Sequence, residues 1–524
     1  MKAAAWAHET FATYFNNATA QRDFRVQLRG GRSVLLFAMY LGLLILVGMF
    51  VYAQTAGLEE VSVVEAQERL RGFYDVIMWI LGSTVVLVAP ALTATTVVME
   101  RQRKSLDLVF SAPVLPKYFL VGKMIASYRY TWMLLVLALP VTATCVVLGG
   151  SSWSDVLVAY VLLSMHALML TSAALLMSTV APKPVSAIVW SYAIAIVYLV
   201  VTSSVGVASS FMRSGREMPF TSCLSPFTVT NSADTFTTIM GNEIPNWILV
   251  TIFALLISKL FILAAGAILA PFGSSKDVAS LRAHGLVYLM AAATYVGYST
   301  SASLSTTSFG PGGPDSGAAL GMVLCAMVAP LFVFVPLLTC FGMDAERRFW
   351  PNGIASIKKT FDGTPAGAVS YLWLIILGTA ACLYGGVKLA GTVPVTPAFF
   401  CYVVFALGFW TFFWSFGRMS SAFLLGLRSA RTLQFASFVV IAILPVPFFS
   451  SIQSSSSDWK ANEWVWNFYI LRPLWMDTDR SFQALLYGTT LLIVSAGIAA
   501  LAEKRMHKKM ATMRTADGRT YATA

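Results

Sequence analysis

Long apolar runs dominate the hydrophobic pattern of this chain, and each is about as long as one membrane-crossing helix. A helix needs roughly 20 apolar residues to cross the hydrocarbon core of a bilayer. Such runs recur along the whole sequence and are separated by short polar segments. The pattern predicts twelve transmembrane helices, near residues 34–53, 77–98, 126–149, 156–180, 185–210, 246–270, 285–304, 318–342, 367–389, 397–416, 432–450 and 484–502.

The polar segments between the apolar runs alternate in composition, which predicts the topology. Cytoplasmic loops of membrane proteins are enriched in Lys and Arg. The segments that are basic or contain clustered Lys and Arg all fall on one side: the N-terminus, 99–123, 271–284, 343–360, 417–431 and 503–518. The alternate segments are rich in Ser, Gly and Pro. We therefore expect a multi-pass protein of the cell (inner) membrane with both termini in the cytoplasm.

The composition indicates that lipid is the solvent of this chain. Its residues are 57% hydrophobic and only 11% charged, whereas soluble proteins carry roughly 25% charged residues. The net charge of +12 is explained by Lys and Arg beside membrane spans, so it predicts no nucleic-acid partner. The six Cys show no disulfide or zinc-binding spacing, and we expect no metal or directly bound cofactor.

Two landmarks repeat between the halves of the chain. Glu100-Arg101 ends the second predicted span and Glu346-Arg347 ends the eighth, an offset of 246 residues. Ser225-Pro226-Phe227 and Arg472-Pro473-Leu474 lie in long outside loops at an offset of 247. We therefore predict an all-α integral membrane protein of about twelve transmembrane helices in two six-helix pseudo-repeats. Its predicted parts are an amphipathic cytoplasmic segment 1–33, modules 34–270 and 285–502, a cytoplasmic linker 271–284 and a basic tail 503–524.

The N-terminal segment shows a helical repeat of basic residues. The arginines recur every three or four residues: Arg22, Arg25, Arg29 and Arg32. Aromatic and apolar residues lie between them, so the segment predicts a helix in the cytoplasmic interface of the membrane. The alternative is a disordered basic tail.

The segment 99–123 is the most charged stretch between two long apolar runs. Leu106, Val109 and Phe110 stand at i, i+3 and i+4 and would share one face of a helix. Ser105 is placed to cap that helix, and two prolines would end it: Pro113 and Pro116. The pattern predicts a short amphipathic helix whose apolar face fits a groove on another protein. The alternative is a basic loop that only fixes topology.

The order of residues in this segment resembles the cytoplasmic loop of type-2 ABC transporter permeases. In that family an apolar span ends in Glu-Arg, and a Ser/Thr-Leu-x-Leu element, a Pro and a Gly-Lys follow. The matching residues are Glu100-Arg101, Ser105-Leu106-Asp107-Leu108, Pro113 and Gly122-Lys123. The resemblance is specific over about 25 residues and looser over residues 20–270. It implies a coupling helix that contacts a separate ATPase subunit through Glu100, Arg101, Ser105, Leu106 and Leu108.

The same resemblance bears on three other segments. It implies that 1–33 holds an elbow helix, and that the outside loops 211–245 and 451–483 hold re-entrant helices that close an outer gate. An ordinary belt of interfacial aromatic residues is the alternative for those loops. The second cytoplasmic loop keeps Glu346 and Arg347 but lacks the Ser/Thr-Leu-x-Leu element and the Gly-Lys, so its grip on an ATPase is in question.

The chain lacks the sequence features by which a transporter hydrolyses ATP itself or couples to an ion gradient. No GxxxxGK[ST] phosphate-binding motif occurs, since Gly122-Lys123 is followed by Met124. The middles of the predicted spans hold no Asp or Glu, which argues against a secondary carrier driven by protons or sodium. Lys259 in the sixth span either meets an anionic substrate or snorkels to the interface. His166 in the fourth span is either a packing residue or part of a substrate path.

These observations predict a permease subunit, without enzymatic activity of its own, of an ABC exporter. ATP would act through a separate ATPase subunit present in two copies, and the substrate is not specified by any motif. The alternatives are a secondary carrier, or a membrane assembly or signalling protein that uses an ABC-like module without transport.

Overall fold

Helices form where the apolar runs lie, because in lipid the backbone must satisfy its own hydrogen bonds. The computed structural model describes residues 17–29, 31–56, 63–106, 116–148, 150–210, 220–231, 235–239, 242–269, 275–306, 316–328, 360–361, 367–390, 396–423, 433, 436–437 and 481–517. Helices overlap eleven of the twelve predicted spans. The span near 432–450 lies almost wholly outside the described residues.

The first half of the chain holds eight of the described helices and a small hairpin. The helices are α1 (Ala18–Leu28), α2 (Gly31–Ala56), α3 (Val63–Thr93), α4 (Thr96–Gln102), α5 (Pro116–Val147), α6 (Trp153–Val180), α7 (Pro184–Ser210) and α8 (Asn246–Leu269). Two short 3₁₀ helices, Phe220–Cys223 and Val229–Asn231, precede the hairpin. Its strands β1 (Phe236–Ile239) and β2 (Asn242–Pro245) pair antiparallel, with Phe236 opposite Pro245.

The second half is described as five further helices. They are α9 (Ser275–Thr306), α10 (Ser316–Val328), α11 (Ala368–Ala390), α12 (Ala398–Phe423) and α13 (Ser481–Asp517).

Seven helical stretches in the described part of the chain are long and apolar enough to cross a membrane. They are Leu70–Gln102, Tyr118–Val147, Trp153–Val180, Asn246–Leu269, Ala368–Ala390, Ala398–Ser420 and Ser481–Lys508. Two shorter apolar helices accompany them, Leu35–Phe50 and Pro184–Val200. The protein is therefore an all-α membrane protein.

Several helices extend past the apolar runs that predicted them. Helix α5 begins at Pro116, ten residues before the predicted span, and α13 continues to Asp517. Residues 271–284, predicted as a linker, are helical from Ser275 onward, so the expectation of a plain connecting loop is wrong there. Hydropathy marks only the lipid-embedded part of a helix, whereas the backbone hydrogen bonds of a helix continue into water.

A break interrupts the second membrane helix near its predicted cytoplasmic end. Helix α3 contains Pro90, which has no N–H to donate, and it ends at Thr93. A two-residue turn follows, and α4 starts at Thr96. The break separates a short helix that carries Glu100 and Arg101 from the long helix in the membrane.

The chain divides into two units, residues 1–277 and 278–524. The division falls inside the segment 271–284. In the first unit α6 is buried along most of its length and packs against α3, α5, α7 and α8. In the second unit α12 and α13 pack closely, because Gly408 and Gly488 face each other and a Cβ on either would clash with the opposing backbone.

Candidate functional site

Asn17 fastens the N-terminal helix α1 to the start of α5. Its side-chain oxygen accepts hydrogen bonds from the N–H groups of Thr19 (3.0 Å) and Ala20 (3.2 Å) and so caps α1. Its side-chain nitrogen donates to the backbone carbonyl of Tyr118 (2.9 Å). The N–H of Ala18 donates to the Tyr118 hydroxyl (3.1 Å). The start of α1 is therefore tied to one residue of α5 at two points.

Gly122 lets α1 lie directly against α5. A Cβ added at this position would lie 2.5 Å from the Asn17 Oδ1 atom and 2.8 Å from the Thr19 Cβ atom. Both distances are shorter than non-bonded atoms tolerate, so a larger residue would push α1 away. The glycine of the Gly-Lys pair therefore serves a close approach of two helices.

Lys123 joins α1, α4 and α5 through two carboxylates. Its side chain is only 6% exposed, and its Nζ atom lies 2.6 Å from Asp23 Oδ2 and 2.9 Å from Glu100 Oε1. Arg22 adds a second cation, 3.1 Å from Asp23 Oδ1 and 3.7 Å from Glu100 Oε1. Two cations and two carboxylates thus form a neutral cluster, which lowers the cost of burying Lys123. We call Arg22, Asp23, Glu100 and Lys123 the cytoplasmic ion cluster, after the side of the membrane on which the sequence predicts it.

Ser105 closes the loop end of this cluster. Its hydroxyl donates to the Glu100 carboxylate and also lies 3.1 Å from the Glu100 backbone carbonyl. The chain reverses at Lys104, whose φ of 56° is in the left-handed region. The backbone N–H groups that Ser105 would cap belong to residues 107–115, outside the described residues, so the predicted cap stays a prediction.

Ser178 of α6 caps the start of α4. The first N–H groups of a helix have no partner within the helix, and Thr95 at the N-cap position makes no side-chain cap. The Ser178 hydroxyl oxygen accepts from the N–H groups of Val97 (3.0 Å) and Val98 (3.2 Å) instead. The break after α3 is thus stabilised by a side chain from another helix.

Arg101 makes the reciprocal contact at the end of α6. Its guanidinium donates to the backbone carbonyls of Thr179 (2.7 Å) and Ala181 (3.5 Å). The last carbonyls of a helix carry partial negative charge, so a cation there is favourable. Glu100 and Arg101 therefore point to different partners: Glu100 to Lys123 on α5, and Arg101 to the end of α6.

The remaining predicted coupling residues are only partly described. Leu106 is buried within the chain. It is therefore not an exposed contact for a partner in this structure, contrary to the apolar face expected for it. The others lie outside the described residues, and their roles stay predictions: Leu108, Val109, Phe110, Glu346 and Arg347.

His166 lies halfway along α6 and contacts the segment before the hairpin. Its Nε2 atom is 3.0 Å from the Leu224 carbonyl oxygen, and its Nδ1 atom is 2.7 Å from that of Leu162. The Tyr198 hydroxyl of α7 donates to the same Leu224 carbonyl. Non-helical backbone at membrane depth requires hydrogen-bond donors from the protein. The Tyr198 hydroxyl supplies one donor, and His166 supplies the other in the tautomer that carries its proton on Nε2. We call these two residues with Leu224 the carbonyl clamp.

The segment that holds Leu224 also packs on α3. A Cβ on Gly82 would lie 2.9 Å from the Pro226 carbonyl oxygen. The rings of Trp79 and Phe227 stack with centroids 4.6 Å apart. Residues 220–231 are therefore held between α3, α6 and α7 by close backbone contact, ring stacking and hydrogen bonds.

Lys259 does not meet the other predicted path residue. It lies on α8 with an exposed side chain, whereas its neighbour Ser258 is buried. This placement fits the snorkelling alternative rather than a position inside the bundle. Within the described part of the chain, no group of three or more His, Cys, Asp or Glu side chains is placed to hold a metal ion.

Sequence reasoning missed several residues that complete the site. Asp23 stands among the arginines of the predicted basic face but carried no assigned role, and neither did Asn17, Tyr118 or Ser178. The one available signal was Asn17 directly before a helical pattern, which is typical of an N-cap. Comparison of the sequence with protein-family models and with curated proteins gave no match.

Proposed function

We propose that this chain is the permease subunit of a type-2 ABC transporter, and that it works as an exporter with twelve spans in two six-helix modules. The observation that carries the proposal is the cytoplasmic ion cluster. Glu100 and Lys123 belong to the two ends of the segment that resembles the family's cytoplasmic loop, and they lie 2.9 Å apart. Ser105, also part of that pattern, donates to Glu100, and Gly122 lets α1 lie against α5 next to Lys123.

The cluster suits a loop that must transmit force. Residues 107–115 lie in the chain between Ser105, which bonds to the Glu100 carboxylate, and Lys123, which pairs with the same carboxylate. A push on the loop reaches α6 through Arg101 and Ser178, and reaches α1 through Lys123 and Asp23. An ATPase subunit that binds residues 107–115 would therefore move three helices together.

We propose that residues 220–231 form the outer end of the transport path. The carbonyl clamp holds this segment against the middle of α6, about 20 Å from either end of that helix. Release of the Leu224 carbonyl would free the segment to move. In this account ATP binding by two ATPase subunits at the cytoplasmic side precedes that release, and the chain itself hydrolyses no ATP.

Site-specific photo-crosslinking in native membranes tests the proposal. A photoreactive amino acid replaces Leu108 in the loop and, as the matched control, Glu243 in the exposed hairpin. We expect the probe at 108 to capture a protein with a GxxxxGK[ST] motif and the probe at 243 to capture none. Capture of only non-ATPase proteins at 108 would favour the assembly or signalling alternative, and ATP hydrolysis by the purified chain alone would contradict the proposal.

A further inference from the structure

Helix α13 is too long to end inside the membrane. Its 37 residues extend about 55 Å, whereas the hydrocarbon core is about 30 Å thick. Its predicted membrane part covers 484–502, so the following residues project past the hydrocarbon on the predicted cytoplasmic side. This projecting part is basic and contains Lys504, Arg505 and Lys508.

One face of α13 passes from apolar to cationic within a single turn. Val494, Leu501 and Lys508 are seven residues apart and share that face. Val494 and Leu501 are 48% and 63% exposed. Lys504 and Lys508 are exposed as well, and they lie one turn apart on the same side. The change occurs where the acyl chains of a lipid on this face give way to its headgroup.

The opposite face of α13 fixes the direction in which the lysines point. Ala502 and Met506 are buried against Met419 and Ala422 of α12. Arg505 lies over the ring of Phe423, 3.5 Å from its centroid. The helix cannot rotate without breaking these contacts, so Lys504 and Lys508 stay on the lipid side.

The nearby acidic residue does not neutralise the two lysines. Glu503 lies 3.7 Å from His507, one turn along the helix. In the described part of the chain neither Lys504 nor Lys508 takes part in an ion pair. Two unpaired cations therefore face the headgroup layer.

We propose that Lys504 and Lys508 bind the phosphate-bearing headgroup of an acidic phospholipid whose acyl chains lie along Val494 and Leu501. A basic side chain near an acidic membrane surface favours binding through charge attraction. Val494 and Leu501, on the apolar part of the same face, would contact the acyl chains of the lipid. A soluble phosphate compound has no acyl chain and could not make this contact. The site concerns lipid binding and is independent of the transport proposal.

Fluorescence quenching by spin-labelled lipids tests this site in the full chain. A fluorophore is attached at Ala500→Cys, an exposed α13 position, after replacement of the native Cys residues. The protein is reconstituted in phosphatidylcholine vesicles with either spin-labelled phosphatidylglycerol or spin-labelled phosphatidylcholine. We expect the acidic lipid to quench at an about tenfold lower mole fraction than the neutral lipid.

Two double variants of equal charge loss decide the assignment. In Lys504→Gln/Lys508→Gln the acidic and the neutral lipid should quench at nearly the same mole fraction, so that the ratio of the two mole fractions is close to one. Lys183→Gln/Lys388→Gln, which removes two exposed lysines elsewhere, should leave it unchanged. An equal ratio in the unaltered chain, or an unchanged ratio in the α13 variant, would overturn the proposal. Displacement of the acidic lipid by millimolar glycerol 3-phosphate would instead identify a soluble phosphate ligand and would also overturn it.

Discussion

At one end of the first unit Lys123 meets Glu100 and Asp23 as charged groups, whereas halfway along α6 His166 and Tyr198 meet a backbone carbonyl. The first arrangement joins three helices, and the second holds a non-helical segment against membrane helices. They differ in chemistry because they differ in depth. Near the end of the helices the carboxylates keep contact with water, since Glu100 is 20% exposed and Asp23 15%. Halfway along α6, where His166 is only 2% exposed, neutral donors satisfy a carbonyl without an ionic desolvation cost.

The ion cluster and the carbonyl clamp are expected to differ in how much each contributes to stability. The cytoplasmic ion cluster joins three helices through several charged contacts, so its loss should disturb the fold. The carbonyl clamp rests on two hydrogen bonds to one carbonyl. These two bonds are weaker than the ion cluster, although Gly82 and Trp79 also hold the segment. Under the proposed function, their release would be a step in opening the outer gate.

The largest effect is expected from Lys123→Met. The change leaves two carboxylates of low exposure opposite Arg22 alone and should lower the free energy of unfolding by about 3 kcal/mol. Thermal unfolding of the detergent-solubilised chain measures it. Lys183→Met removes an exposed lysine and serves as the control. Equal unfolding temperatures of the two variants would show that the ion cluster contributes no more than a surface charge.

A smaller loss is expected from Gly122→Ala. The new methyl group would overlap Asn17 and Thr19, and such overpacking costs about 2 kcal/mol. Gly42→Ala is the matched control, because no atom lies within 4 Å of its Cβ position. We expect the control to be neutral or slightly stabilising, since Ala favours helix over Gly. The same unfolding measurement applies, and equal effects of both changes would contradict the close approach of α1 and α5.

His166→Leu should weaken the carbonyl clamp without unfolding the bundle. The lost hydrogen bond is worth about 1 kcal/mol, and Tyr198 still donates to Leu224. The measurement is the reaction of Cys223, buried beside Leu224, with an impermeant maleimide in a background free of other Cys. We expect faster labelling in His166→Leu and faster still when Tyr198→Phe is added. Tyr192→Phe is the control, because it removes a hydroxyl that donates to the Leu87 carbonyl within helix α3. It should leave the labelling rate of Cys223 unchanged.

The smallest effect is expected from Ser178→Ala. It removes the acceptor for the first N–H groups of α4 and should cost about 1 kcal/mol, as the loss of a helix cap does. Ser83→Ala, which removes an exposed hydroxyl bonded only to its own helix, provides the comparison in the same unfolding assay. If Ser178→Ala lowers the free energy of unfolding no more than Ser83→Ala does, then water caps α4 as well as Ser178 does.

The sequence predicted the places of the helices better than their ends. Apolar runs located the membrane helices because lipid exposure demands them. The first ten residues of α5 contain Pro116, Lys117 and Lys123, and the last fifteen of α13 are largely polar, so both stretches fell outside the predicted spans. Glu100 and Lys123 stood out by their order in the resemblance. Their pairing could not be read from the sequence, because a loop of unknown path separates them and Asp23 resembles one more residue of a solvated helix.

The two units also differ in how their helices meet, and this bears on the proposed repeat. The first unit combines a close glycine approach at Gly122 with ion pairs and caps at its helix ends, whereas the described helices of the second unit meet at pairs of facing glycines. Gly297 and Gly386 lie where α9 and α11 cross, as Gly408 and Gly488 do for α12 and α13. Glu346 and Arg347 lie outside the described residues, so their coupling role in the second unit stays a prediction.

Crosslinking through residue 108 in a chain with an altered ion cluster tests the central claim most directly. The claim is that the cluster positions residues 107–115 for an ATPase subunit. We predict that the probe at 108 captures the ATPase in the unaltered chain and in Lys183→Met. Capture should fall at least about tenfold in Lys123→Met at equal amounts of protein eluting as folded in size exclusion. Undiminished capture by Lys123→Met would contradict the claim.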